Sequence, residues 1–212
     1  MASSILSKRT GIKALNLPFE SAAVRCCTAA FFLDYDLIRT RYNRGMQEYV
    51  TQAVVLNKEP VREADVRYSF FTKRFGKVTG KATSARKINS KLAGHLEPGT
   101  LATVRFVEKG GTQIVDAMKS GVVRATMPDL RFLHAMTTEG MPDAELWAEL
   151  TAEAFSWPRV LAAMGWDPAE AACEQCGNAV AYFYLPRQEF FCAPCASNFK
   201  RDGLLLISNG EV

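Results

Sequence analysis

Two cysteine pairs carry the most specific chemistry in this 212-residue sequence: Cys173-Glu174-Gln175-Cys176 and Cys192-Ala193-Pro194-Cys195, with fifteen residues between them. Two thiolates three positions apart can grip one side of a tetrahedral ion if the backbone turns tightly behind them, and Gly177 suits that turn. Val180–Leu185 and Glu189–Phe191 flank Pro186-Arg187-Gln188, so a β-hairpin can bring the pairs together. The pattern is that of a zinc ribbon holding one Zn²⁺ on Cys173, Cys176, Cys192 and Cys195. Four thiolates leave no position for water, which makes such an ion structural and not catalytic. Disulfides and an iron–sulfur cluster are the alternatives. An intracellular address argues against the first and the paired spacing against the second.

The second concentration of chemistry is cationic. Residues 58–91 hold ten Lys/Arg against three Asp/Glu, whereas residues 92–212 hold nine against fifteen. One basic module is thus joined to an acidic one, a polarity suited to a polyanion on one side and a protein partner on the other. From Arg67 to Lys91 the cations are interleaved with Tyr68, Phe70, Phe71 and Phe75, the mixture that single-strand binders use for phosphate contact and base stacking. Phe70 and Phe71 are adjacent, so one of them must point inward, and core packing competes with stacking for every ring in the set. Ser84-Ala85-Arg86-Lys87-Ile88-Asn89-Ser90-Lys91 reads as an exposed basic loop whose hydroxyls add phosphate hydrogen bonds. No recognition helix is evident, so nucleic-acid form should matter more than base sequence.

These residues need elements to position them. Strand signals run through Tyr49–Leu56, Val66–Thr72, Lys77–Thr83, Leu101–Val107 and Gln113–Ala117, with a Lys109-Gly110-Gly111 turn before the last. Alternation of Val66, Tyr68 and Phe70 implies a sheet with one buried face. Five short strands with an irregular break at 84–96 fit an OB-fold barrel, with an SH3-like barrel the nearest rival. Beyond Met118 the period becomes helical. Thr126 caps a helix with Pro128 in its first turn, Pro142–Ala154 presents Leu146, Trp147 and Leu150 on one face, and Pro158 opens a third helix ending at Gly165. The expected fold is α+β, in three parts: an extension over 1–45, an OB-fold nucleic-acid-binding barrel over 46–118, and a helical module over 119–212 containing the zinc ribbon at 173–195.

The extension shows no sustained period and places Cys26 beside Cys27, while a clean pattern starts at Met46; we read it as a disordered arm or an over-extended gene start, with Met46 as the true one. No stretch reaches the roughly 20 apolar residues of a membrane span, and a soluble, cytoplasmic protein is expected. An enzyme is not. There are only two histidines, His95 and His134, no phosphate-cradling glycine loop, and no nucleophile beside a base.

Ala53-Val54-Val55-Leu56, Arg62-Glu63-Ala64-Asp65, Phe71-Thr72 with Phe75-Gly76-Lys77, and a basic run into Leu92-Ala93-Gly94 and Glu97-Pro98 resemble, in that order, the N-terminal barrel of the bacterial RecO family. Gly165-Trp166-Asp167-Pro168 leading into the cysteine pairs is similar to the zinc-bearing tail of the same family. The helical section is shorter than the family's, and residues 1–45 have no counterpart in it. The resemblance implies a non-enzymatic recombination mediator of DNA repair in the bacterial cytoplasm, at the nucleoid. Such a protein binds single- and double-stranded DNA, anneals strands, and works with RecR and the single-strand-binding protein so that RecA can load. It also implies that Arg67, Lys73, Arg74, Lys77, Lys81, Arg86, Lys87 and Lys91 contact the DNA backbone. Charge and fold alone would equally permit an RNA-binding protein of translation or transcription, or a scaffold whose barrel cations are incidental.

Overall fold

Alternating apolar residues flanked by turn formers build a five-stranded closed barrel in the computed structural model, which describes residues 46–61, 63–87 and 90–207. The expectation over residues 1–45 lies outside the described residues. The strands are β1 (Gln47–Pro60), β2 (Val66–Thr72), β3 (Gly76–Ala82), β4 (Thr100–Glu108) and β5 (Thr112–Val122), in the spatial order β1-β2-β3-β5-β4. The long β1 pairs with both β4 and β2, and a register shift between Val55 and Asn57 lets one strand serve both neighbours. All neighbours are antiparallel except β3 and β5, which meet in parallel at a single residue pair, Lys81 with Gln113. The OB-like barrel expected from the sequence is present, and β5 continues past residue 118 to Val122.

Val66, Tyr68 and Phe70 of β2 point into the barrel with Ala53, Val55, Val104, Phe106 and Ile114. Their neighbour Phe71 is just as buried on the opposite face, because the outside of the barrel is covered there. Val54, Leu56 and Phe71 form one core with the helices and the C-terminal sheet: Leu130, Leu133, Leu146, Trp147, Leu150, Trp157, Val160, Leu161, Phe183, Leu205 and Ile207. The described residues belong to one compact unit.

Three short helices follow the barrel: α1 (Met127–Met136), α2 (Ala144–Leu150) and α3 (Trp157–Ala163). Asp129, in the first turn of α1, accepts through Oδ2 from the Thr126 backbone N–H (2.7 Å) and hydroxyl (2.6 Å). Its other oxygen takes the Trp157 indole N–H at 2.7 Å, so the residue that starts α1 also fixes α3. Asp143 caps α2 by accepting from Leu146 N–H at 2.9 Å. α2 stops at Leu150, short of the span expected to Ala154. At the barrel contact, Gly76 has φ +65 and its position leaves no room for a Cβ, which would lie 2.1 Å from the Met141 carbonyl oxygen. Gly140 N–H donates to Lys77 O at 3.0 Å, so this segment covers part of the β3 edge that β5 leaves unpaired.

The tail is a three-stranded sheet ordered β7 (Glu189–Phe191), β6 (Tyr182–Tyr184), β8 (Leu204–Leu206), with a single helical turn α4 (Ala193–Ala196) after β7. The hairpin was expected; β8 and α4 were not. Among the described residues no helix is long and apolar enough to cross a membrane.

Candidate nucleic-acid interface and metal centre

The outer face of the β2–β3 ribbon is set by register. Arg67 lies opposite Lys81, Ser69 opposite Thr79, and Phe71 opposite Lys77. The middle of this face is closed by the end of α1 and the segment after it. Ser69 Oγ meets His134 Nε2 at 3.1 Å, Lys77 Nζ donates to the carbonyl oxygens of His134 (2.5 Å) and Thr137 (3.3 Å), and Thr79 donates its hydroxyl proton to Glu139. Desolvation draws the Lys77 ammonium down from its ordinary pKa against the pull of Glu139. Desolvation also lowers His134, helped by the charge on Lys77 and opposed by Glu59 and Glu139.

At one end of the ribbon, past this cover, the Arg67–Lys81 cross-strand pair continues into the loop after β3. Asp65 organises the junction: Oδ2 pairs with Lys81 Nζ at 2.7 Å, and Oδ1 accepts the Ser84 backbone N–H at 3.0 Å. Ser84 has a left-handed φ of +58, and Arg86 N–H donates to Ala64 O at 3.1 Å, so the β1–β2 loop holds the basic loop at two points. Ala85 is buried in the barrel core between them, which directs Arg86 and Lys87 to solvent. Lys91 is exposed at the far end of the same loop.

Lys73 and Arg74 sit in the β2–β3 turn, at the other end of the ribbon. Thr72 lies five strand positions beyond Arg67, about 17 Å at the usual rise. Arg74 lies over the Phe75 ring at 5.8 Å, beside a groove of about 660 Å³ lined by Tyr49, Phe75, Lys77, Glu48, Glu108 and Glu139 among others. Burial, with Glu108 beside it, pushes the Tyr49 hydroxyl up to about 12. Three carboxylates in this lining make it a poor phosphate track. The eight cations singled out in the sequence therefore form no single patch: Arg67 and Lys81 lie at the end of the ribbon that leads into the loop of Arg86, Lys87 and Lys91, Lys73 and Arg74 lie at the other end, and Lys77 is engaged by α1. Of the four aromatic candidates, Tyr68, Phe70 and Phe71 are core residues, and Phe75 is half-buried beside Tyr49. His95 accepts the Lys119 backbone N–H through Nδ1 at 3.3 Å, a structural contact at the barrel edge.

In the tail, Cys173, Cys176, Cys192 and Cys195 are brought together with all four sulfurs within 4.8 Å of one another. Gly177, at φ +71, returns its N–H to Cys173 O at 2.8 Å and forms the first knuckle; Cys192 opens α4, whose turn forms the second. Cys176 Sγ lies 3.5 Å from Cys192 Sγ and 3.7 Å from Cys195 Sγ. Sulfurs about 2.3 Å from a tetrahedral ion would be about 3.8 Å apart, whereas a disulfide requires about 2.05 Å. The four cysteines are free, and they could hold a metal ion. Burial opposes ionisation of Cys173, but backbone N–H groups of Cys192, Gln175 and Cys176 outweigh it and bring that thiol down to about 6. Cys195, contacting Cys192 and desolvated, is pushed up to about 12. A cation among sulfurs this close would favour their thiolate forms.

The model of the family described as recombination protein O N terminal matches residues 46–121. DNA repair protein RecO of Thermodesulfovibrio yellowstonii is 39% identical over 61 residues, which cover 29% of this chain and 24% of that protein. DNA repair protein RecO of Koribacter versatilis is 37% identical over 59 residues, covering 28% of this chain and 24% of the relative. The matched segment thus spans about a quarter of each curated relative. Its match to the family coincides with the barrel, from the first bridge residue to within one residue of the end of β5, so the barrel is the part of the chain that is similar to recombination protein O N-terminal domains.

Proposed function

We propose that the chain is a recombination mediator in DNA repair, binding single- and double-stranded DNA through the Arg67–Lys81–Arg86–Lys87 surface and annealing complementary strands. One observation carries the surface assignment. Arg67 and Lys81 are opposite each other on adjacent strands of an exposed face, an arrangement that costs stability unless anions are near. Asp65 beside Lys81 and Glu59 opposite Arg67 on β1 supply two anions; Arg86 and Lys87, on the loop beyond, would be met by a phosphate backbone running over it. In this role the protein breaks no covalent bond. By resemblance to its family it acts with RecR and the single-strand-binding protein to assist RecA loading, in the bacterial cytoplasm at the nucleoid. The four cysteines hold one structural Zn²⁺, which their sulfur spacing fits and which would order the tail.

The test is annealing of complementary oligonucleotides, bare and coated with single-strand-binding protein, at two salt concentrations. Faster, salt-sensitive annealing that survives the coating is expected. Preference for RNA over DNA without annealing would replace this reading by one in translation or transcription.

A further inference from the structure

The carboxylate of Asp65 does two things at once, and plain electrostatics sees only one of them. As a negative charge beside Lys81 in a surface meant for phosphates, it should weaken DNA binding. Yet it is largely buried between two loops, and its second oxygen accepts a backbone N–H. The Ser84 N–H that it receives belongs to a residue in the left-handed region, a conformation that a serine does not hold without support. Two residues on, Arg86 N–H is held by Ala64, Asp65's neighbour, and Lys87 N–H turns back to Ser84 O at 3.1 Å. The path of the chain through Arg86 and Lys87 thus begins at the Asp65 contact.

We propose that Asp65 is a positioning residue for the nucleic-acid surface, holding the basic loop in the shape that presents Arg86 and Lys87 beside Arg67. The inference rests on the DNA-binding reading given above. Its energetic logic is pre-organisation: two long cationic side chains on a loop already fixed lose less freedom on binding than the same side chains on a loose one. The gain in order outweighs the charge that the carboxylate subtracts.

Two variants of equal net charge separate these effects. Asp65→Asn keeps an oxygen that can accept from Ser84 N–H, while Asp65→Ala removes that acceptor together with the charge. Single-stranded oligonucleotide affinity would be measured over a range of salt for wild type, both variants and Arg86→Ala/Lys87→Ala, with thermal midpoints and amide hydrogen exchange at Ser84 and Arg86 on the free proteins. Asp65→Ala is expected to bind about five- to tenfold more weakly than Asp65→Asn, as expected for two side chains that must be ordered on binding. Its salt slope should be lower by about 0.7 for each phosphate that is no longer neutralised, and exchange at the two amides should quicken locally. If both variants bind more tightly than wild type with a steeper slope, or if Ser84 stays protected in Asp65→Ala, the positioning role is overturned while DNA binding stands. If wild type and Arg86→Ala/Lys87→Ala bind alike, it is the DNA-binding reading of this loop that fails, and the exchange data still report on the Asp65–Ser84 contact.

Discussion

Lys77 caps a helix to which it does not belong: from β3 its ammonium donates to the carbonyl oxygens of His134 and Thr137, at the C-terminal end of α1. A cation there satisfies carbonyls left open by the helix end and meets the negative pole of its dipole. Lys77→Met keeps the stem and removes the charge, and should cost about 1 kcal/mol in urea unfolding, the half-exposed setting holding the figure down. Its single-strand affinity should change far less than that of Arg86→Ala/Lys87→Ala. A large drop in affinity with unchanged stability would return Lys77 to the binding surface.

The same contact sets a pH dependence. His134 has its pKa lowered from 6.5 in the fold, by desolvation first and Lys77 second, so the unfolded chain takes up the proton before the native one does. Its contribution to stability is present above about 6.5 and is lost as pH falls from there toward the lower native value. Urea midpoints measured from pH 7.5 down to pH 5.5 should fall, and fall less in Lys77→Met, where the neighbouring positive charge is gone. Equal slopes in the two proteins would mean that His134 does not feel Lys77.

Gly76 offers a sharper test of the barrel–helix contact. An added Cβ meets the Met141 carbonyl oxygen at 2.1 Å, on a backbone with φ +65. Gly76→Ala should cost about 2–4 kcal/mol, from backbone strain and overpacking together. Gly110→Ala, equally left-handed but with open space around it, should cost only the conformational part, about 1 kcal/mol.

Metal removal should act on the tail. Structural zinc contributes roughly 10–16 kcal/mol of apparent binding free energy in small peptides, more than a three-stranded sheet of this size can replace. Cys173→Ser or Cys192→Ser should abolish stoichiometric metal release to a colorimetric chelator and expose Phe183, Leu205 and Ile207, which pack in the core shared with the helices. Enhanced dye binding with the barrel's strand signal retained is the expected result. Wild-type protein with no bound metal and an intact tail would refute the zinc assignment.

Much of this was readable in the sequence because it is local. Val66, Tyr68 and Phe70 alternate, Thr126 precedes Pro128, and each cysteine pair closes within four residues. What could not be read depends on distant partners. Phe71 broke the alternation because helices more than fifty residues later cover the outside of β2. Lys77 looked like its neighbours Lys73 and Arg74 until the carbonyls of α1 arrived from 57 and 60 positions downstream. β8 is three leucines without a period, defined only by its register against β6. Asp65 looked like one of a few acids diluting a basic run; its role depended on the turn at Ser84, where no glycine or asparagine signalled a left-handed residue.

The single rung between β3 and β5 has a consequence for handling the protein. A fragment cut at the end of the family match would carry every strand of the barrel yet lack Gly140, which occupies the Lys77 carbonyl, and bare Val54, Leu56 and Phe71 to water. An unpaired strand edge beside an apolar patch promotes aggregation during expression. The smallest well-behaved unit should therefore keep the helices with the strands, and the homology boundary is the wrong place to cut.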